Sequence, residues 1–84
     1  MEANKIIITG GATRIGAAIA KKLSGPNKEI LIHYYKSKST AERLKKKLEK
    51  NGTKIYLIKG DLSKEVDVNK IVKFAKSKLN ILTV

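Results

Sequence analysis

Short apolar runs alternate with longer amphipathic segments along the whole chain. The runs occupy 5–9, 30–34, 54–58 and 81–84 and are rich in isoleucine. In the first of them residues 6–9 are all β-branched, which is typical of a strand buried on both faces. Runs of roughly five residues separated by helices of roughly eleven to fifteen fit parallel β-α-β units. The pattern therefore predicts an α/β fold with the element order β-α-β-α-β-α-β.

The handedness of parallel crossovers limits how these elements can be arranged. Because right-handed crossovers are strongly preferred, we expect the strand order 3-2-1-4, with the first two helices on one face of the sheet and the third on the other. This arrangement is half of a doubly wound Rossmann fold, a parallel sheet of about four strands with three helices. No stretch is rich enough in Gly, Ser or Pro to be a linker, so 1–84 is expected to be one segment.

Composition excludes several kinds of site. The 84 residues contain no cysteine, which rules out disulfides, thiolate metal sites and cysteine nucleophiles and suits a reducing cytosol. His33 is the single histidine, so a histidine-built metal centre is not expected. The apolar residues 6–8 near the N-terminus are too few for a signal peptide or a membrane span. We expect a cytoplasmic protein without a bound metal ion.

The chain is strongly basic, with 19 Lys and Arg against 7 Asp and Glu, a formal net charge of +12. Such a chain could bind nucleic acid through the phosphate backbone. The lysines, however, fall between the apolar positions of amphipathic segments, as at Lys45, Lys46 and Lys47. The aromatic residues are few and scattered, which argues against a base-stacking platform. Solvated helix faces are therefore favoured and nucleic acid is not expected as a partner, with a small basic nucleic-acid-binding domain as the alternative.

A cluster of glycines stands between the first apolar run and the first helical segment. Gly10 would permit a tight turn at the end of the strand, and Gly16 would let the helix approach the sheet closely. The N–H groups and the dipole of a helix N-terminus favour a phosphate or pyrophosphate. We interpret the segment as a phosphate-binding turn, although any β-α turn can contain glycine.

The residues around this turn resemble the short-chain dehydrogenases/reductases. Residues 9–16 read Thr-Gly-Gly-Ala-Thr-Arg-Ile-Gly, which is similar to the family's Thr-Gly-x-x-x-Gly-x-Gly cofactor motif. Asp61-Leu62 resembles the family's Asp-Leu or Asp-Val that contacts the adenine, and 80–84 resembles its fourth strand. Arg14 replaces the middle glycine, as in the pteridine-reductase-like branch, whose His-Tyr-x-Arg-Ser turn is similar to 33–37. The resemblance implies an oxidoreductase that transfers a hydride to or from a carbonyl or alcohol substrate.

The end of the second strand indicates which cofactor to expect. An NAD-preferring site places Asp or Glu there to bind the ribose 2′-OH. No acidic residue occurs in 30–41, and Lys36 and Ser37 occupy the turn. A 2′-phosphate would be attracted by Arg14 and Lys36 and hydrogen-bonded by Ser37, so we expect NADP(H). The candidate cofactor-binding residues are Gly10, Thr13, Arg14, Ile15, Gly16, Tyr35, Lys36, Ser37, Asp61 and Leu62.

The hydride-transfer residues of the family are not expected in this chain. The resemblance implies a Ser and a Tyr-x-x-x-Lys pair on elements after the fourth strand. Tyr34 and Lys38 match that spacing but span a strand end and a turn, whereas an active pair must share a helical face. We therefore interpret 1–84 as the N-terminal dinucleotide-binding segment, truncated before the catalytic half and inactive alone. A non-catalytic, self-associating half-Rossmann module is a further alternative, since an exposed sheet edge favours a homo-oligomer.

Four of the residues considered so far or nearby in the sequence also have structural interpretations. His33 and Tyr35 alternate along the second strand, so at least one of them is expected to be a packed or edge side chain. Tyr56 on the third strand is expected in the core. Asp61 could cap the turn before the third helix instead of contacting a cofactor.

Overall fold

The computed structural model describes residues 5–79, which form three strands and three helices in alternation. The elements are β1 (Lys5–Ile8), α1 (Arg14–Leu23), β2 (Glu29–Tyr34), α2 (Lys38–Glu49), β3 (Lys54–Lys59) and α3 (Glu65–Leu79). The predicted alternation of strands and helices is confirmed over this range. No helix in it combines the length and the apolar composition that crossing a membrane requires.

The three strands form one parallel sheet in which β2 lies between β1 and β3. Glu29 of β2 aligns with Lys5 of β1 and with Lys54 of β3. The central strand is almost continuously apolar because both of its faces are covered, and residues 30–32 are fully buried. The predicted strand order 3-2-1 is confirmed. The expected fourth strand, at 81–84, lies outside the described residues.

The helices cover the two faces of the sheet as predicted. One core cluster joins the sheet to α1 and α2; its members include Ile30, Ile32, Ala20, Leu44 and Leu48. A second cluster lies on the opposite face, where Leu31 packs with Ala75 and Leu79 of α3. Tyr56 is half-buried against this second cluster. Alternate residues of β2 thus supply the cores of both faces.

The strand β1 is less buried than its composition suggests. Its β-branched run predicts coverage on both faces, but Ile7 is 41% exposed. The helix on that face, α3, packs over β2 and β3. Ile7 therefore borders an open apolar groove of about 240 Å³, lined also by Val68 and Val72 of α3. The expectation that β1 is buried on both faces is wrong within the described part of the chain.

A buried threonine ties together two loops at the edge of the sheet where the strands begin. The Thr53 hydroxyl accepts the N–H of Gly25 at 2.8 Å and lies 3.2 Å from the Gly25 carbonyl oxygen. Nearby, Nδ2 of Asn51 lies 3.4 Å from Oγ of Ser24. Ser24 follows α1 and Asn51 follows α2 closely, so the C-terminal ends of these two helices lie side by side.

The first turn of α1 crosses directly over the turn that follows β1. A Cβ added at Gly16 would collide with the carbonyl oxygen of Gly10 and would lie 2.7 Å from Cα of Gly11. Both of these atoms belong to the backbone, so neither can rotate away as a flexible side chain would. The helix approaches the sheet this closely because residue 16 has no side chain, which is the role that the sequence predicts for it.

Replacing Gly16 with Ala should lower the free energy of unfolding by about 1–3 kcal/mol, because the new Cβ overpacks against rigid backbone. At a helical position with free space, the same exchange would raise that free energy by about 0.5–1 kcal/mol. Urea unfolding followed by circular dichroism measures the change. Ala18→Gly, at an exposed position of the same helix, is the control and should cost about 1 kcal/mol. A Gly16→Ala protein more stable than the parent would contradict the close contact.

Candidate functional site

The turn between β1 and α1 is closed by the side chain of Thr13. Its hydroxyl donates to the carbonyl oxygen of Gly10 at 2.7 Å and accepts the N–H of Gly16 at 3.1 Å. The Thr13 N–H also donates to the Gly10 carbonyl oxygen, at 3.1 Å. Gly10 has a φ of +65°, in the left-handed region that glycine adopts without strain. Thr13 is thus the N-cap that fixes where α1 begins.

These hydrogen bonds use amides that the glycines could otherwise offer to an anion. The Gly16 N–H is held by Thr13, and the Gly10 N–H donates to Nδ1 of His33 at 3.1 Å. Within residues 5–79, no protein acceptor is found for the backbone amides of Arg14 and Ile15, the exposed first two residues of α1. The anion-binding capacity of this helix end therefore rests on those two amides and on the helix dipole. The two glycines contribute the shape of the turn.

His33 holds together the segments that follow β1 and β3. Its side chain is 4% exposed. Nδ1 accepts the N–H of Gly10 at 3.1 Å, and Nε2 lies 2.7 Å from the carbonyl oxygen of Gly60. Because Nδ1 must act as an acceptor here, Nε2 carries the hydrogen and donates to Gly60. Of the two residues His33 and Tyr35, His33 is the packed one, as one of the sequence interpretations expects.

A cleft lies between the glycine turn and the turn that joins β2 to α2. Its volume is about 240 Å³, and its lining includes Gly10, Thr13, Tyr35, Lys36 and Ser37. The lining contains no carboxylate. Nζ of Lys36 lies 5.3 Å from the centre of the Tyr35 ring, so the cation is held beside an aromatic face. The lining also offers the Lys36 ammonium and the Ser37 hydroxyl, and this pair of donors suits an anionic oxygen-rich group.

The turn after β3 is organised by the carboxylate of Asp61. Oδ1 of Asp61 accepts the hydroxyl of Ser63 at 2.7 Å and its backbone N–H at 2.9 Å. These two bonds, the hydroxyl one first, hold the pKa of the Asp61 carboxyl below its ordinary value, and the charge of Lys64 and the hydroxyl of Tyr35 act in the same direction. The Asp61 N–H donates to Oδ2 of Asp67 at 2.8 Å. Asp61 therefore shapes this turn, as one sequence interpretation expects.

The structure brings most of the candidate residues to one end of the sheet, but not into one pocket. Five of them line the cleft: Gly10, Thr13, Tyr35, Lys36 and Ser37. Arg14 and Ile15 are exposed in the first turn of α1, and Gly16 is buried beneath them. Leu62 is 48% exposed and lines the apolar groove beside β1 rather than the cleft. No group of His, Cys, Asp and Glu in the described ranges could hold a metal ion.

Sequence reasoning did not find two residues that position the site. The hydrogen bonds of His33 join residues 23 and 27 positions away. Asp67, in the first turn of α3, fixes the backbone of Asp61. An aspartate in a first helical turn is a signal for a local hydrogen bond, but nothing in the sequence names the N–H that it accepts.

Comparison with known proteins identifies the family of this chain. The family model for short chain dehydrogenase matches residues 4–84. The chain belongs to the short-chain dehydrogenase family. Its parallel sheet with helices on both faces is the Rossmann-like half-fold found in solved members. This match confirms the resemblance seen in the sequence. The family is one of oxidoreductases.

Individual relatives are similar over most of this short-chain dehydrogenase chain. It is 34% identical over 70 residues to the short-chain dehydrogenase/reductase homolog YusS of Bacillus subtilis, an alignment that covers 82% of this chain and 64% of YusS. The crystal structure of a short-chain dehydrogenase from Oenococcus oeni superposes with a TM-score of 0.79 at 36% identity, covering 89% of this chain and 34% of that one. The FolM alternative dihydrofolate reductase 1 from Brucella canis, crystallised with NADP, gives 0.76 at 30% identity, covering 89% and 30%. The chain therefore spans less than two thirds of YusS and about a third of each solved structure.

Replacing His33 with Leu should lower the free energy of unfolding by about 2–4 kcal/mol, because it leaves the N–H of Gly10 and the carbonyl of Gly60 buried without partners. His33→Gln, which keeps a donor and an acceptor, is the matched comparison and should lose less. Urea unfolding of the two variants measures the difference. Equal stabilities would show that the two hydrogen bonds do not hold the segments together.

The carboxyl of Asp61 should titrate below its ordinary value of 3.8, and Ser63→Ala should raise its pKa because the substitution removes the hydroxyl donor on Oδ1 and leaves only the backbone N–H. Since the folded-state pKa is the lower one, Asp61 stabilises the fold above the unfolded pKa and loses that contribution as the pH falls through the folded value. Carboxyl-carbon NMR titration measures both proteins. Ser77→Ala, at an exposed site in α3, is the control and should leave the titration unchanged. An unshifted Asp61 in the parent protein would contradict the prediction.

Proposed function

We propose that this short-chain dehydrogenase segment binds NADP(H), and that the cleft between the glycine turn and the β2–α2 turn receives the 2′-phosphate. The observation that carries the proposal is the composition of that cleft, in which Lys36 and Ser37 are present and a carboxylate is not. A carboxylate there would accept the 2′-OH of NAD(H) and repel a phosphate. The NADP-bound Brucella canis relative supports the same cofactor.

The N-terminus of α1 supplies a second contact for the cofactor. The amides of Arg14 and Ile15 and the positive end of the helix dipole suit the pyrophosphate. Because Gly16 has no Cβ, the first turn of α1 lies directly against the turn after β1, which keeps this helix end beside the glycine turn. The Arg14 guanidinium adds a positive charge on the same turn and is assigned to the phosphates.

The adenine is assigned to the ends of β2 and β3. The Tyr35 ring is 48% exposed at the cleft and offers an aromatic face. Oδ1 of Asp61 accepts two hydrogen bonds from Ser63, so we assign Oδ2 to the adenine amino group. Leu62 follows Asp61 and is half exposed, so its side chain can cover the base from the side of the apolar groove.

When bound, NADP(H) would supply the hydride for reversible carbonyl reduction, the reaction of the intact family. The described residues bind and orient the adenosine half of such a cofactor and offer no group to protonate a substrate. Tyr34 is 9% exposed and packs with Ala12 and Ala41, whereas Lys38 begins α2. The pair does not share a helical face, so we expect these 84 residues alone not to reduce carbonyl substrates.

NADPH should bind at least about tenfold more tightly than NADH, because the Lys36 ammonium and the Ser37 hydroxyl contact only the 2′-phosphate. Lys36→Ala should weaken NADPH binding by about tenfold or more and leave NADH binding unchanged. Isothermal titration calorimetry with the two cofactors measures all four affinities.

The control for this experiment is Lys46→Ala, which removes the same charge from the last turn of α2. It should leave the NADPH-to-NADH ratio as it is in the parent protein. Equal affinities for the two cofactors in the parent, or an equal loss from both lysine variants, would contradict the assignment of the cleft to the 2′-phosphate.

A further inference from the structure

Lysines that are scattered along the sequence gather at the edge of the sheet opposite the cleft. In a parallel β-α fold every strand begins and every helix ends at the same edge. Each helix of this chain has two basic residues in its last turn. They are Lys21 and Lys22 of α1, Lys46 and Lys47 of α2, and Lys76 and Lys78 of α3. All six are exposed.

Four more lysines lie at this edge, and with the six above they form what we call the basic edge. Lys5 begins β1, Lys54 begins β3, Lys28 precedes β2 and Lys50 follows α2. The N–H of Lys54 donates to the carbonyl of Lys28 at 2.8 Å, which joins two of these segments directly. Among residues 5–79, the carboxylates at this edge are Glu29 and Glu49, and Glu49 is engaged by Lys45 at 2.8 Å.

Helix dipoles do not account for this much positive charge. A helix C-terminus carries about half a negative charge, so three of them offset about 1.5 charges. The six last-turn lysines alone exceed that several-fold. The nearby ammonium group of Lys47 lowers the pKa of Lys21. Two like charges therefore approach each other where α1 and α2 end side by side, and an anion between them would relieve the repulsion.

We propose that the basic edge binds the phosphate backbone of double-stranded nucleic acid, at a surface separate from the cofactor cleft. The sequence predicts solvated lysines on each helix separately. In the folded chain the lysines of all three helices lie at one edge, so their charges add. Among the exposed large apolar side chains of residues 5–79, only Leu23 lies in a last helical turn, so the edge has little to insert into a bilayer. Tyr56 and Phe74 are half-buried and the exposed Tyr35 lies at the cleft, so among residues 5–79 no exposed ring lies at this edge for bases to stack on.

The separation of the two surfaces follows from the length of the strands. The six residues of β2 span about 20 Å, roughly twice the Debye length at 0.1 M salt. A duplex on the basic edge and a dinucleotide in the cleft therefore neither overlap nor repel each other strongly. This inference does not rest on the proposed NADP(H) function.

The test is fluorescence-anisotropy titration of a 20-base-pair DNA duplex of arbitrary sequence with the 84-residue chain. Binding should weaken on the order of 10²-fold between 50 and 200 mM salt, as expected for four to five phosphate contacts. A variant with Lys21→Gln, Lys47→Gln and Lys50→Gln should reduce the slope of log K against log salt by about two to three. The matched control carries Lys59→Gln, Lys64→Gln and Lys70→Gln, which lower the net charge equally away from the basic edge.

The outcomes distinguish binding at the basic edge from binding through net charge alone or at the cleft. Retention of the salt slope by the control variant, together with no displacement of DNA by 1 mM NADPH, would support the proposal. An equal reduction of the salt slope in both triple variants would show that binding depends on net charge alone and would overturn the proposal. Displacement of the duplex by NADPH would show that DNA binds at the cleft and would contradict the proposal. An absence of binding at 50 mM salt would exclude the proposed DNA binding. Circular dichroism confirms that both variants fold.

Discussion

The hydrogen bonds of the His33 imidazole are the constraint on which the candidate site depends. A cleft at the end of a parallel sheet is built from turns that follow different strands, and those turns need a common anchor. One ring provides it here, because Nδ1 accepts from Gly10 and Nε2 donates to Gly60. The backbone of β2 continues the connection, since the carbonyl of His33 accepts the N–H of Gly11 and that of Tyr34 accepts the N–H of Gly60. The glycine turn and the Asp61 turn are therefore held at one distance from each other.

The strands and helices could be predicted because burial of one face gives the local sequence a periodic pattern of apolar residues. The hydrogen bonds of His33 could not be predicted in this way. Alternation along β2 places His33 on the face opposite Ile32 but does not say what it contacts there. Its partners follow other strands, and only the assembled sheet brings them near. The exposure of Ile7 was missed for a related reason, because an apolar strand indicates that cover is needed without showing which part of α3 supplies it.

The glycine turn shows that a motif can indicate candidate residues without showing which of their atoms are available to a ligand. The motif points to Gly10 and Gly16 as cofactor-binding residues, yet their amides are used by His33 and Thr13. The glycines allow the turn and the helix to pack closely, and the amides left for an anion are those of Arg14 and Ile15. Ser37 gives the complementary case: it stands at the N-cap of α2, but its side chain makes no capping hydrogen bond and lines the cleft.

The three helix N-termini at the cleft end of the sheet differ in one respect that decides where an anion can bind. The first turn of α3 contains Glu65 and Asp67, so the positive end of its dipole is already compensated. Oδ2 of Asp67 also accepts a hydrogen bond from the turn after β3. The first turns of α1 and α2 contain no acidic residue. Two uncompensated helix ends thus flank the cleft, and Lys36 lies between them. A ligand with phosphates at two separate positions satisfies both ends at once, which a single phosphate bound to the glycine turn does not.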